Sequence, residues 1–190
     1  MAEPLAVVLA AGRASRFGGG KLDAMLAGKR VGQWVLDALE AAGLAPGVIV
    51  TGPDAPAFAE KSGWRLVTNP DPQAGLGTSL ALAARQTDGA LLVALADMPL
   101  VPSSHFAALL QHESAATAWP GEKSGVPALF PPSLLPELRT LSGDQGAGPL
   151  LTAMPDLALV EAPVDALLDI DRPEDLARAE AVLRRGGKPT

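Results

Sequence analysis

The sequence predicts an α/β protein with a mostly parallel, doubly wound central sheet. In its first half, short apolar runs alternate with helix-like segments, and three such strand–helix units follow one another. The runs are almost continuously apolar, as parallel strands buried on both faces are, and right-handed crossovers join such strands through helices. With 190 residues, of which 48% are hydrophobic and 19% charged, the chain has enough material for a sizeable core. We therefore expect a single domain over residues 1–190.

The predicted elements follow in chain order. Buried strands are expected at 5–10, 47–52, 64–69 and 90–97. Helices are expected at 32–43, ending at Gly43, at 78–86, capped by Thr78 or Ser79, and at 103–113, with a serine cap after Pro102. From about residue 116 the pattern predicts strands at 116–120, 125–132 and 158–164, one of them antiparallel, and short helices at 133–141 and 148–154. A closing helix follows from 172, with Pro173 near its first turn.

Composition excludes several classes of function. The net charge is −6, aromatic residues make up 4%, and no basic run occurs, so neither a nucleic-acid nor an anionic-membrane surface is expected. The absence of cysteine excludes disulfides and thiolate chemistry. The N-terminus lacks the basic region of a signal peptide, and its apolar run is too short to span a membrane. We expect a soluble, cytoplasmic protein.

The loop after the first strand is the strongest functional signal. Residues 9–21 read LAAGRASRFGGGK and combine four glycines with Arg13, Arg16 and Lys21. Ligands of open α/β sheets bind beyond the carboxyl ends of the strands, where glycines let backbone N–H groups approach an anion. The cations suit phosphate oxygens, so the loop predicts a polyphosphate site, although neither the Walker loop nor G-x-G-x-x-G is present. The alternative is a surface turn with incidental cations.

Acidic residues form two further candidate sites. Asp97 ends the most apolar strand, and because Met98 and Pro99 turn the chain at once, its carboxylate is expected to project over the crevice. Asp169 and Asp171 alternate around Ile170, so in an extended segment both point the same way. Mg²⁺ beside a polyphosphate needs only one or two protein carboxylates. The competing interpretation is structural, with Asp97 as a turn former or helix cap and Asp171 as the cap of the closing helix.

Five stretches in this order resemble the molybdenum cofactor nucleotidyltransferases, in particular the cytidylyltransferase branch of the MobA-like family. They are LAAGRASRFGGGK, NPDPQAGLGTSL, LADMPLV, SGDQGAG and DIDRPEDL, and the resemblance runs from about residue 5 to about 183. It implies a three-layer α/β/α Rossmann-like nucleotidyltransferase fold with a mostly parallel sheet. It also implies transfer of a nucleotidyl group from an NTP to a phosphate acceptor, with release of pyrophosphate.

The resemblance also assigns residues and ligands. It implies that Arg16, Lys21 and Asp97 are catalytic and that Asp97, Asp169 and Asp171 bind Mg²⁺. The implied nucleotide-binding residues are Leu9, Ala10, Ala11, Gly12, Arg13, Arg16, Gly18, Lys21, Asn69, Gly75 and Ser79. Because the guanylyl branch begins Leu-Ala-Gly-Gly and this chain has Ala11 at the third position, CTP is favoured over GTP. A molybdopterin-type compound is the implied acceptor, and whether the product passes to a molybdoenzyme or its chaperone stays open.

The chain departs from the resembled pattern in several places. Asp23 and Met25 replace the usual Leu and Pro after the loop, and Gly148 and the segment GVP at 125–127 stand where the acceptor side usually carries Arg and His-Pro. Acceptors such as a sugar phosphate or phospholactate, or a non-catalytic nucleotide- or cofactor-binding role, therefore remain as alternatives. A dianionic phosphate acceptor needs no general base, and both histidines are expected to face solvent.

Overall fold

A seven-stranded sheet organises the chain, as the computed structural model shows for residues 3–12, 17–121 and 123–186. The strands are β1 (Leu5–Ala10), β4 (Val48–Thr51), β5 (Arg65–Thr68), β6 (Leu91–Leu95), β7 (Ala115–Trp119), β8 (Lys123–Phe130) and β9 (Ala158–Glu161), in the spatial order β5-β4-β1-β6-β8-β7-β9. A two-stranded hairpin, β2 (Met25–Leu26) with β3 (Lys29–Arg30), lies outside this sheet. Among the described strands of the seven-stranded sheet, β8 alone runs antiparallel to its neighbours, β6 and β7, so the expectation of one antiparallel strand is confirmed.

Helices cover both faces of the sheet. They are α1 (Val31–Ala41), α2 (Ala57–Glu60), α3 (Leu76–Ala84), α4 (Ser103–Leu109), α5 (Leu135–Leu138), α6 (Gly148–Thr152) and α7 (Pro173–Gly186). Alternate residues of β1 enter opposite cores: Val8 packs with residues of α1 and α4, whereas Val7 and Leu9 pack with residues of α3, α5 and α6. The three-layer α/β fold is thereby confirmed. None of the described helices is long and apolar enough to cross a membrane.

Several local expectations are wrong. The strand at 64–69 was expected to be buried, but β5 is an edge strand and exposes Arg65 and Leu66. Helix α3 begins at Leu76 with Gly75 at its N-cap, so neither Thr78 nor Ser79 caps it. Pro102, not a serine, occupies the N-cap position of α4.

Asp23 explains one departure from the resembled pattern. Its carboxylate accepts hydrogen bonds from the backbone N–H groups of Ala57 (2.7 Å) and Phe58 (2.8 Å), the first residues of α2. Arg30 lies 3.3 Å from the same carboxylate. The rebuilt segment therefore anchors α2 and the small hairpin beside the glycine-rich loop.

Candidate active site

A cavity of about 280 Å³ opens at the carboxyl edge of the parallel strands. Many of the residues predicted for nucleotide binding line it together with the predicted metal ligand Asp97: Leu9, Ala10, Ala11, Gly12, Lys21, Gly75 and Ser79. The ends of β1 and β6 place Leu9 and Asp97 close together, because the two strands are parallel neighbours with Leu9 paired to Leu95. Arg13 and Arg16 lie outside the described residues, so their predicted roles remain predictions.

Glycines shape the approach to Lys21. Gly18, Gly19 and Gly20 have φ values of 87°, 102° and 63°, which side chains with a Cβ rarely adopt. No heavy atom of the described residues lies within 4 Å of where a Cβ would stand on any of them. These glycines therefore allow a left-handed backbone and leave the space beside it open. Gly20 directly precedes the single 3₁₀ turn that contains Lys21. Gly18 itself does not line the cavity.

Lys21 joins two of the predicted metal ligands. Its Nζ lies 2.6 Å from Asp97 Oδ2 and 2.9 Å from Asp171 Oδ1, and the side chain is only 5% exposed. Burial by itself would lower the pKa of Lys21, but the two carboxylates outweigh burial and raise that pKa above its usual value. Lys21 is therefore a fixed cation in the cavity of the free protein.

The DIDRPEDL segment reaches this cluster through the backbone of Asp97. The N–H of Ile170 donates to the carbonyl oxygen of Asp97 at 2.9 Å, which places Asp169 and Asp171 beside the end of β6. Asp171 does not cap α7 with its side chain, since Asp175 accepts the N–H groups of Asp171 and Arg172 instead. The carboxylate of Asp171 goes to Lys21.

Asp169 is the acidic group least compensated by its surroundings. Its Oδ1 is buried and has no hydrogen-bond partner among the described residues. Burial, and then the negative charges of Asp97 and Asp171, raise the pKa of Asp169 to about 6, against an opposing effect of Lys21. A buried carboxylate oxygen without a partner costs free energy unless a proton or a cation satisfies it.

The donor set suits a hard divalent cation that also has non-protein ligands. Across the described residues, no three histidine or acidic side chains are grouped so that they could hold a metal ion alone. Mg²⁺ usually binds one or two carboxylates and completes its shell with waters and substrate phosphates. The unsatisfied Asp169 fits that requirement as it stands, and Asp97 and Asp171 fit it once Lys21 moves away.

Asn69 acts behind the cavity and does not line it. The side chain, 2% exposed, donates from Nδ2 to Ser79 Oγ at 3.0 Å and to Thr78 Oγ1 at 3.1 Å. Its Oδ1 accepts the N–H of Asp71 at 3.0 Å. Asn69 therefore ties the end of β5 to the first turn of α3 and orients Ser79, which does line the cavity.

Two glycines lock the NPDPQAGLGTSL segment to the SGDQGAG loop. A Cβ on Gly75, whose φ is 96°, would stand 2.2 Å from the carbonyl oxygen of Gly143, and one on Gly77 would stand 2.8 Å from that of Ser142. The N–H of Gly77 donates to Gly143 O at 2.9 Å. This close backbone contact places Asp144 in the lining of the cavity.

Sequence reasoning missed several lining residues. Asp144 lies between Gly143 and Gly146 in the SGDQGAG stretch, a position equally typical of a turn residue and of an acceptor contact, and it lines the cavity. Leu22, Pro72, Leu76 and Leu95 also line the cavity without having been predicted. These four apolar residues lie next to predicted ones in the sequence. Only the three-dimensional packing shows that they line the cavity and do not belong to the hydrophobic core.

The expectation that both histidines face solvent is wrong for His105. The side chain is 3% exposed, and its Nε2 lies 2.9 Å from Thr117 Oγ1. Because the Thr117 hydroxyl donates to Pro127 O at 2.7 Å, it accepts from His105, which places the proton on Nε2. Burial lowers the pKa of His105, partly offset by the backbone of Glu161. His112 is exposed, as expected.

This cavity lies on a mostly parallel sheet and combines a glycine-rich loop with an acidic cluster around one lysine, an arrangement that suits the binding of phosphate groups. The chain belongs to the MobA-like NTP transferase family, because residues 6–158 match the model of the MobA-like NTP transferase domain. No curated protein matches it. The resemblance drawn from the motifs is confirmed at the level of this family.

Solved structures agree on the fold. A nucleotidyl transferase from Methanothermobacter thermautotrophicus is 27% identical, with a TM-score of 0.77 over 97% of this chain and 99% of that one. A Mycobacterium tuberculosis protein solved with manganese is 21% identical, with a TM-score of 0.70 over 94% and 98%. A 4-diphosphocytidyl-2C-methyl-D-erythritol synthase from Anaerococcus prevotii is 14% identical, with a TM-score of 0.73 over 96% of each chain. The last two show the fold alone.

Proposed function

We propose that this protein transfers a nucleotidyl group, with CTP favoured over GTP, to a molybdopterin-type phosphate acceptor in a Mg²⁺-dependent reaction in the cytoplasm. One observation carries the proposal: Lys21 is held between Asp97 and Asp171 in a cavity that the glycine-rich loop opens. A triphosphate needs both a cation and a metal, and this cluster combines a lysine with carboxylates that could bind a metal ion. Family membership supports NTP use, and the manganese complex of the mycobacterial neighbour supports a divalent metal.

The proposed reaction requires no protein base. An oxygen of the acceptor phosphate forms a bond to the α-phosphorus of the NTP, the bond from that phosphorus to the bridging oxygen breaks, and pyrophosphate leaves with the electron pair. A phosphate monoester is largely dianionic at neutral pH, so no proton has to be removed first. His105 is buried against Thr117, and His112 lies by a different cavity together with Glu3 and Leu129.

The chain's own residues supply alignment and charge. Lys21, together with Arg16 and Arg13 of the same loop, binds the phosphates that leave as pyrophosphate, and backbone N–H groups of the loop contact the nucleotide. Asp97, Asp169 and Asp171 would hold Mg²⁺, which when bound offsets negative charge on the α-phosphate. The preference for CTP rests on Ala11, which lines the cavity at the third position of the LAAG segment.

Thermal stability with each nucleotide tests the donor half of the proposal. CTP at 100 times its Kd should stabilise the protein by about 2.7 kcal/mol, or roughly 5–10 °C for a chain of this size, only with Mg²⁺ present. The Asp97→Ala variant should lose this shift, and the control Asp54→Ala, which removes an exposed carboxylate elsewhere, should keep it. A protein whose Tm responds to no NTP refutes the proposal.

The acceptor is a separate question with its own assay. A second candidate is a small polar phosphate acceptor, because Gly148 and the segment GVP at 125–127 depart from the resembled pattern on the acceptor side. Pyrophosphate release from CTP with molybdopterin, a sugar phosphate or phospholactate as acceptor distinguishes the two. Nucleotide binding without turnover on any of them would favour a binding protein instead of an enzyme.

A further inference from the structure

A large cavity, of about 690 Å³, lies at the edge of the sheet opposite to the candidate active site. Pro4 and Ala90, which line it, directly precede β1 and β6, and Leu129 lines it near the end of the antiparallel strand β8. The six residues of β1, at about 3.3 Å each, separate it from the nucleotide cavity by about 20 Å. We call it the basal cavity. The proposed reaction uses none of its lining residues.

The inner surface of the basal cavity is apolar. Leu44 and Leu129 are 4% and 3% exposed, and the half-buried Leu110 packs against the same core. Pro4 and Pro131 add further apolar surface. Small-molecule sites are concave, mostly apolar and about 300–1,000 Å³ in volume, with a few polar groups that orient the ligand. The basal cavity has the size and the lining of such a site.

The polar side chains of the basal cavity are acidic or neutral. Glu3, His112 and Glu113 line it and are exposed, whereas none of its described lining residues is a lysine or an arginine. Neither glutamate forms an ion pair with a described residue. Glu3 Oε1 accepts the N–H of Ala45 at 3.0 Å, which ties this side chain to the wall of the cavity. A neutral His112 can accept one more hydrogen bond from a ligand.

Two helices also end at the basal cavity. Gly43 and Leu44 line it just after α1, and Leu110, which lines it as well, is the C-cap residue of α4. The C-terminus of a helix carries a partial negative charge, and neither helix has a basic residue in its last turn. Backbone and side chains therefore act in the same direction, and both favour a positively charged ligand.

We propose that the basal cavity binds a small organic cation, an ammonium group attached to an apolar body of one or two rings. The body contacts Leu44, Leu110 and Leu129, and the ammonium group pairs with Glu3 and Glu113. A neutral molecule of the same shape gains the apolar contacts alone, and an anion is repelled by the two carboxylates. The inference concerns a site apart from the nucleotide cavity, and it does not depend on the proposed function.

The two histidines of the chain provide the assay. Proton–carbon NMR of the imidazole rings gives one signal for each, and the His112→Gln variant assigns that of His112. At about pH 8, where an alkyl ammonium is protonated, 3,3-diphenylpropylamine should shift the His112 signal in a saturable way. The signal of His105, which is buried against Thr117, should stay in place. The matched alcohol, 3,3-diphenylpropanol, should bind about tenfold more weakly, and 3,3-diphenylpropanoate more weakly still.

Charge variants separate the carboxylates from the apolar wall. Glu3→Gln, which keeps an oxygen for the Ala45 N–H, and Glu113→Gln should each weaken amine binding about threefold, and about tenfold together, with alcohol binding unchanged. Leu110→Ala should weaken the amine and the alcohol by the same factor. Glu60→Gln is the matched control, because it removes an exposed carboxylate that does not line this cavity, and it should leave amine binding unchanged.

Three results would overturn the inference. They are the absence of a saturable shift at His112, an alcohol or carboxylate that binds as tightly as the amine, and a double glutamine variant that binds the amine normally. The Mg²⁺–CTP thermal shift should be the same with and without the amine, and an amine that abolishes it binds in the nucleotide cavity, which also overturns the inference. Failure of the CTP shift in the absence of the amine contradicts the proposed function alone.

Discussion

Replacing Lys21 by methionine should strengthen metal binding and slow nucleotidyl transfer in the same protein. The ammonium occupies oxygens of Asp97 and Asp171 at 2.6 and 2.9 Å, and a cation must displace it to use them. A hydrogen bond to a charged group contributes about 1.5–3 kcal/mol, and each 1.4 kcal/mol is a factor of about ten. Releasing Asp97 should therefore raise Mn²⁺ affinity by about 10- to 100-fold, while loss of the phosphate contact lowers turnover by about 10²- to 10³-fold.

Manganese binding measured by electron paramagnetic resonance, without nucleotide, provides the assay. Lys61→Met is the matched control, because it removes an exposed lysine elsewhere on the chain and should leave Mn²⁺ affinity unchanged. Circular dichroism checks that Lys21→Met folds, since removing the cation leaves partly buried carboxylates unpaired. If Lys21→Met binds Mn²⁺ no better than the unmodified protein, Lys21 does not compete with the metal and our interpretation of the cluster is wrong.

Three further predictions concern stability in EDTA-containing buffer. The pKa of Asp169 is raised to about 6, so this group contributes stability at low pH that is lost as the pH rises through 6. Asp169→Asn should therefore stabilise the protein above that pH by on the order of 1–2 kcal/mol, after discounting for solvent screening. A difference in urea midpoint between the variant and the unmodified protein that is the same at pH 4.5 and pH 7.5 would contradict this. The lowered pKa of His105 has the opposite effect on the pH dependence, so the stability present above pH 6.5 should fall on acidification. In the same assay, the stability of His105→Gln should fall less steeply between pH 6.5 and 5. Gly75→Ala should lower the free energy of unfolding by more than about 2 kcal/mol because of its φ and the clash with Gly143. Gly186→Ala should be neutral in thermal unfolding, because none of the described residues outside its own helix comes within 4 Å of where its Cβ would stand.

The central strands could be predicted because their burial leaves a nearly continuous apolar signal. The same signal misled at β5, where Leu66 and Val67 read as core although one edge of the strand is unpaired. The hairpin β2–β3 has only two residues per strand, too few for a period to appear. His105 could have been found, since it lies four residues before the buried Leu109 on the same helical face.

The sequence predicts which residues form the site, but it does not predict which of them contact one another. Strand ends meet at one edge of a parallel sheet, so the position of Asp97 near the glycine-rich loop follows from topology. The contact of Asp171 with Lys21 spans 150 residues of sequence and depends on the bond from Ile170 to Asp97 O. No local pattern encodes such a closure, and the same holds for the approach of Gly75 to Gly143.

The charges of the cluster argue that nucleotide and metal bind together. Among the described residues, Asp97, Asp169 and Asp171 face one cation, Lys21, so the fully ionised cluster has a net charge of −2. A triphosphate approaching this cluster alone meets repulsion from the carboxylates while competing with them for the lysine. A divalent cation offsets the excess charge, satisfies Asp169 Oδ1 and lets Lys21 turn to the phosphates. Metal-dependent nucleotide binding therefore follows from the charge of the free site.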